Sequence, residues 1–172
     1  MAYNRAYVLV VMGVETIKKG VEMKNTTILA IDPGTTQSAF VWWDGYKIKD
    51  FDIRDNNELL KKLRNYPGAV YPHLVIESMV SIWKGAGKET VDTLLWAGRF
   101  YEAYSGPKEF IPRYKVRVAL CGTMQSKDDS IIAVLKGRFG KPGTKKAPGL
   151  TYGLKKDLWQ AFALAVTYYD NL

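Results

Sequence analysis

The run Thr26-Thr27-Ile28-Leu29-Ala30-Ile31-Asp32-Pro33-Gly34-Thr35-Thr36 constrains this chain more than any other stretch. An apolar segment closed by Pro and Gly reads as a buried strand. This one ends in a carboxylate, after which the chain must turn at once. A carboxylate at the end of a buried strand is costly to desolvate unless a cation or hydrogen-bond donors meet it. Asp-Pro-Gly is also good turn chemistry, so Asp32 is either a strand cap or the first acid of a site. The residues downstream have to decide between the two.

They read as a meander followed by helices. Ser38 to Trp43 is a strand, Asp44-Gly45 a hairpin turn, and Tyr46 to Ile53 an alternating third strand. Asp55-Asn56-Asn57-Glu58 has capping-box spacing and opens a helix through Leu59, Leu60 and Leu63, which Pro67-Gly68 ends. His73-Leu74-Val75-Ile76-Glu77 then repeats the opening pattern, an apolar strand finishing in a carboxylate. Met79 to Gly87 is a loop carrying Ile82, Trp83 and Lys84. Lys88 to Tyr104 is a helix with Val91, Leu94, Leu95, Gly98 and Tyr101 on one face. Glu109 to Ile111 is a short strand. Pro112 to Leu120 fits either a strand, by alternation of Val116, Val118 and Leu120, or a helix bracketed by Pro112 and Gly122. Ser126 to Phe139 is a helix with Ile131, Val134 and Leu135 inward. The last helix, Lys155 to Tyr168, turns Leu158, Phe162, Ala165 and Tyr169 inward and carries Asp157 in its first turn.

Composition narrows the partners. The 172 residues make one domain with at most a short appendage, and 47% hydrophobic content is enough for a core. A formal charge of +8 favours a polyanion, either nucleic acid or an anionic membrane surface. Five cations, Lys136, Arg138, Lys141, Lys145 and Lys146, fall within eleven residues among glycines that allow close approach to a phosphate backbone. With one Cys (Cys121) and one His (His73) there is no intrachain disulfide and no ordinary zinc site. Any metal must sit on carboxylate oxygens, which points to Mg²⁺ or Mn²⁺.

Three acids are placed for that work. If the first and fourth strands are neighbours, Asp32 and Glu77 share one sheet edge, and Asp157 at the start of the last helix completes a cluster. Crowded carboxylates raise one another's pKa unless a divalent cation neutralises them. Two such ions would activate water and stabilise the leaving oxygen in phosphodiester hydrolysis. Taken singly, Glu77 is equally an exposed strand end, and Asp157 a charge favoured by the helix dipole.

Four passages together resemble the RuvC-type Holliday junction resolvases of the RNase H-like superfamily, particularly their phage-borne relatives. They are Ile31 to Thr36, Val75-Ile76-Glu77, Leu120 to Asp128, and Asp157 to Ala165 with its closing Asp-x-x-x-Ala-x-Ala pattern. The resemblance implies an α/β RNase H-like fold, with a mixed central five-stranded sheet whose first three strands form an antiparallel meander, flanked by helices. It implies Asp32, Glu77 and Asp157 as metal-binding catalytic acids, with two Mg²⁺ or Mn²⁺ ions per site. The family's fourth acid falls on Gln160, a neutral amide that orients water or ligates Mg²⁺ weakly; a neighbour such as Asp128 or Asp129 is the alternative donor. Lys127 matches a lysine-bearing passage and is expected near the scissile phosphate. The resemblance further implies a homodimer that nicks opposing strands of a four-way DNA junction. Val80, Ile82 or Trp83 would be its branch-point wedge, and Lys84 with the Lys136 to Lys146 segment its DNA contacts.

Two other functions fit some of these residues. Asp32 to Thr36 also suits the phosphate loop of an actin-like or sugar-kinase lobe, although such kinases need two lobes. A non-catalytic module binding branched nucleic acid is the other. Residues 1–22 are read as an N-terminal extension, or as translation from a start upstream of Met23, with the nuclease domain at 23–172. Tyr7 to Met12 is apolar but too short to span a bilayer, and no signal-peptide cleavage site follows it. A cytoplasmic protein, bacterial or in a phage-infected host, is therefore expected, with no membrane partner.

Overall fold

The computed structural model describes residues 26–66, 70–79 and 87–172. The expectations for residues 1–22, for Pro67-Gly68, and for Val80, Ile82, Trp83 and Lys84 lie outside the described residues. Strands β1 (Ile28–Asp32), β2 (Gln37–Trp43), β3 (Ile48–Asp55), β4 (His73–Ser78) and β5 (Lys108–Pro112) form one sheet in the order β3-β2-β1-β4-β5. β1, β2 and β3 pair antiparallel, whereas β1 with β4 and β4 with β5 are parallel. The helices are α1 (Asn56–Arg64), α2 (Lys88–Ala103), α3 (Arg113–Cys121), α4 (Asp128–Phe139) and α5 (Leu158–Asp170).

The meander follows from its turns. Asp44 Oδ1 accepts the N–H groups of Tyr46 and Lys47 at 2.9 and 2.7 Å, and Gly45 takes φ +93°. Because those two N–H groups are used locally, β3 begins at Ile48 rather than at Tyr46. At the far end of β3, Asp55 caps α1 by accepting from the N–H groups of Asn57 and Glu58. The ambiguous stretch after Pro112 is helix α3, closed by Gly122 at φ +77° with its N–H on the Val118 carbonyl. Pro at the entry and a left-handed glycine at the exit outweigh the alternation of Val116, Val118 and Leu120.

Side-chain period 2 divides the core. Ile28 and Ala30 of β1 and Val75 of β4 face a cluster built with Ile131, Leu135 and the length of α5. Leu29, Ile31, Leu74 and Ile76 face the opposite cluster, with Leu59, Leu60 and Leu63 of α1 and Ala97 and Phe100 of α2. Every residue of α5 from Leu158 to Thr167 is buried, and Ala161, Ala163 and Ala165 leave it room to lie close on β1 and β2. Trp43 sits edge-on to Phe139 and Phe162 at 5.6 and 5.3 Å, tying β2 to α4 and α5.

The helices differ from their sequence pattern in three places. In α2 the buried residues are Ala97, Phe100 and Ala103, while Val91 and Leu95 are 44% and 61% exposed. The C-terminal half of the helix covers the sheet face, which leaves Val91 and Leu95 of the first half exposed. In α4, Ile131 and Leu135 are fully buried but Val134 is exposed, and the helix starts at Asp128 rather than Ser126. Finally, α5 starts at Leu158, leaving Asp157 one residue ahead of it without a side-chain capping bond.

Candidate active site

The alternation that builds the core also aims the acids. Asp32 follows Ile28 and Ala30 in parity, and Glu77 follows Val75, so both belong to the α5 face of the sheet. β1 and β4 run parallel with Ile31 opposite Ile76, which puts Asp32 and Glu77 side by side one step further on. β5 runs parallel to β4 with Glu77 opposite Ile111, so Arg113 at the start of α3 emerges at the same edge.

The turn after Asp32 is fixed by a residue that its sequence context disguised. Asn56 is fully buried. Its amide donates to the Gly34 carbonyl at 3.0 Å and its Oδ1 accepts from Ser38 Oγ at 2.7 Å, while Ser38 Oγ accepts from the Gly34 N–H at 3.1 Å. Gly34 has no room for a side chain, since an added Cβ would lie 2.3 Å from the Gln37 carbonyl oxygen. Asn56→Ala strands the half-buried Gly34 carbonyl and the buried Ser38 hydroxyl, and we expect it to cost about 2 kcal/mol of stability. Urea unfolding of the two proteins checks this; an unchanged midpoint would remove Asn56 from the support of the turn.

Burial, the adjacent Glu77 carboxylate and a hydrogen bond with it hold Asp32 well above the usual carboxylate range. Asp157 adds to this rise, and Arg113 opposes it. Arg113 carries the local positive charge. One guanidinium nitrogen donates to Glu77 at 3.1 Å, and the other to both oxygens of Asp128 at 3.0 and 2.9 Å. Burial works against the Arg113 charge, but Glu77 and Asp128 outweigh it and keep the group protonated. Arg117, one turn further along α3, reaches Asp128 at 3.5 Å.

The remaining expected residues are less tightly assembled. Asp157 is exposed and follows Lys156, whose φ of +49° is the one left-handed non-glycine among the described residues. Gln160 is buried on the first turn of α5. Lys127 is exposed, immediately before Asp128. Lys145 and Lys146 project from a tight turn closed by reciprocal Thr144–Ala147 backbone bonds of 3.0 and 3.1 Å, with Lys141 exposed at its base. Lys136 lies over the Trp159 ring at 5.5 Å. Arg138 is held by Asp170, with one nitrogen 2.7 Å from Oδ1. The basic segment therefore offers its lysines outward, while Arg138 is tied to the end of α5.

The paired carboxylates of Asp32 and Glu77 are hard oxygen donors that suit a divalent cation, and their mutual repulsion is the kind a cation relieves. Among the described residues, however, no three Asp, Glu, His or Cys residues come together as a metal-holding group. Asp157 influences Asp32 electrostatically but stands outside the pair. The residues present thus fit one ion at Asp32 and Glu77; among the described residues the donors of a second are not assembled.

Two solved structures share this architecture. A Thermus thermophilus RuvC bound to a Holliday junction substrate matches with a TM-score of 0.60 and 17% identity, over 85% of this chain and 94% of that one. A second structure of Thermus thermophilus RuvC matches with a TM-score of 0.56 and 16% identity, over 84% and 94%. The fold is that of RuvC. The expected RNase H-like α/β class, with its mixed five-stranded sheet and antiparallel meander, is therefore the observed one. No protein-family model matches the sequence, and no curated protein matches it. No helix of the described residues is long and apolar enough to cross a membrane.

Arg113 and Asn56 are the site residues that the sequence reading passed over. Arg113 had a signal: a cation in the first turn of a helix opposes the dipole and needs a carboxylate to hold it there. Asn56 had none, because Asn beside an N-cap is ordinary.

Proposed function

We propose that this chain is a divalent-metal-dependent endonuclease that resolves four-way DNA junctions by nicking opposing strands, acting as a homodimer. The observation that carries the proposal is the Asp32–Glu77 pair, two touching carboxylates at the edge of a RuvC-like sheet in a chain of net charge +8. Asp32 and Glu77 would hold Mg²⁺ or Mn²⁺, with Asp157 and Gln160 at the rim. The ion would supply a Lewis acid to the scissile phosphate and a water of lowered pKa. Lys127 would neutralise a phosphate oxygen, and Lys141, Lys145 and Lys146 would track the backbone of one arm. The exposed Val91 and Leu95 of α2 offer an apolar strip for a second copy.

A second reading has its own support. The Arg113 ion pair already neutralises Glu77 without metal, which suits a non-catalytic module that binds branched DNA. A labelled four-way junction, a linear duplex and a fork, each with and without Mg²⁺, separate the readings when wild type is compared with Asp157→Asn. We expect metal-dependent nicking of the junction, reduced about a hundredfold or more in Asp157→Asn. Tight junction binding without cutting in either protein would favour the module. Undiminished cutting by Asp157→Asn would remove that acid from the mechanism.

A further inference from the structure

Arg113 holds one of the two paired carboxylates that a cation would need. Its guanidinium touches both oxygens of Glu77, at 3.1 and 3.4 Å, and Glu77 is in turn the neighbour that raises Asp32. The same guanidinium holds both oxygens of Asp128 through its second nitrogen. Glu77 is buried, whereas the Asp128 side chain is 48% exposed. An arginine shared in this way can release the inner carboxylate while remaining bound to the outer one, so the exchange does not strand a buried guanidinium. The Arg113–Glu77 contact and metal binding are then alternatives for one pair of oxygens, and each must weaken the other by the same factor.

We propose that Arg113 is a built-in competitor of the divalent ion at Glu77, withdrawing onto Asp128 when the ion binds and thereby setting the metal affinity of the site. This inference rests on the metal-dependent reading above. A guanidinium neutralising Glu77 also relieves the repulsion between the two paired carboxylates. The competition predicts that this chain requires more divalent metal than a site lacking the arginine.

The test is Mn²⁺ titration by calorimetry, without DNA, on wild type, Arg113→Gln, Arg117→Gln and Asp32→Asn. Arg113→Gln is expected to bind Mn²⁺ at least about fivefold more tightly than wild type, within the usual range of coupling between two ligands. Arg117 bonds Asp128 but not Glu77, so Arg117→Gln removes an equal charge from the same helix and should change the affinity less than about twofold. Arg113→Gln should also melt below wild type in EDTA, with the gap closing in saturating Mn²⁺. Unchanged or weaker Mn²⁺ binding in Arg113→Gln, with wild-type binding lost in Asp32→Asn, would overturn the competition and leave the metal site standing. Equal tightening in both arginine variants would overturn it too, as a bulk charge effect. Equal Mn²⁺ binding by wild type and Asp32→Asn would instead sink the site itself and this inference with it. Should Arg113→Gln fail to fold, Arg113→Lys serves, because it keeps the charge but loses the fork that spans both carboxylates; it too must tighten binding.

Discussion

Asp32→Asn is expected to fold, bind four-way junctions as wild type does, and cut them at least about a thousandfold more slowly. The substitution is isosteric and removes the one group that burial and Glu77 together make costly to ionise. The same change should stabilise the metal-free protein, in a pH-dependent way. Asp32 has a folded-state pKa raised above its unfolded value, so its contribution to stability is complete below the unfolded pKa and is lost as pH rises through the folded one. Asparagine has nothing to lose over that range. In EDTA, the melting temperature of Asp32→Asn should therefore exceed that of wild type at pH 8, and the difference should shrink as pH falls toward 4. A gap that stays constant or widens on acidification would show that Asp32 is not held above its ordinary range.

Trp43→Ala is expected to cost about 3–5 kcal/mol, a large part of the roughly 5–15 kcal/mol that a domain of this kind holds. Trp43 is 2% exposed and joins Phe139 of α4 and Phe162 of α5 in one edge-to-face cluster, so its removal opens a cavity where three elements meet. The phenylalanines also touch each other at 5.2 Å and cannot both move into the void without leaving their own contacts. Guanidinium unfolding measures the loss. A cost under about 1 kcal/mol would mean that the helices repack over β2.

The sheet was legible because its signals are local. Two apolar runs each ending in an acid, a hairpin at Asp44-Gly45 and a capped helix at Asp55 leave few ways to arrange β1 to β4, and parallel pairing of β1 with β4 brings Asp32 to Glu77. What lay beyond reach depends on contacts between distant segments. The exposed stripe of α2 has the periodicity of a buried one, and only the placement of the helix over β4 and α1 tells them apart. Arg113 finds Glu77 36 residues away and Asp128 15 residues away, across two elements. Asp157 read as lying in the first turn of the last helix, yet α5 begins at Leu158, one residue after it. The resemblance of the four short passages pointed to the fold observed, but the arginine that pairs with Glu77 and Asp128 stands at a position those passages do not include.

Strand-specific nick mapping on a four-way junction tests the central claim most directly. Each of the four strands is end-labelled in turn, incubated with wild type or Asp32→Asn in Mg²⁺, and resolved on a denaturing gel. Wild type should place single nicks at symmetry-related positions on two opposing strands, none without metal, and Asp32→Asn should place none. Binding without nicks, or nicks that appear equally in a linear duplex or survive Asp32→Asn, would contradict the account.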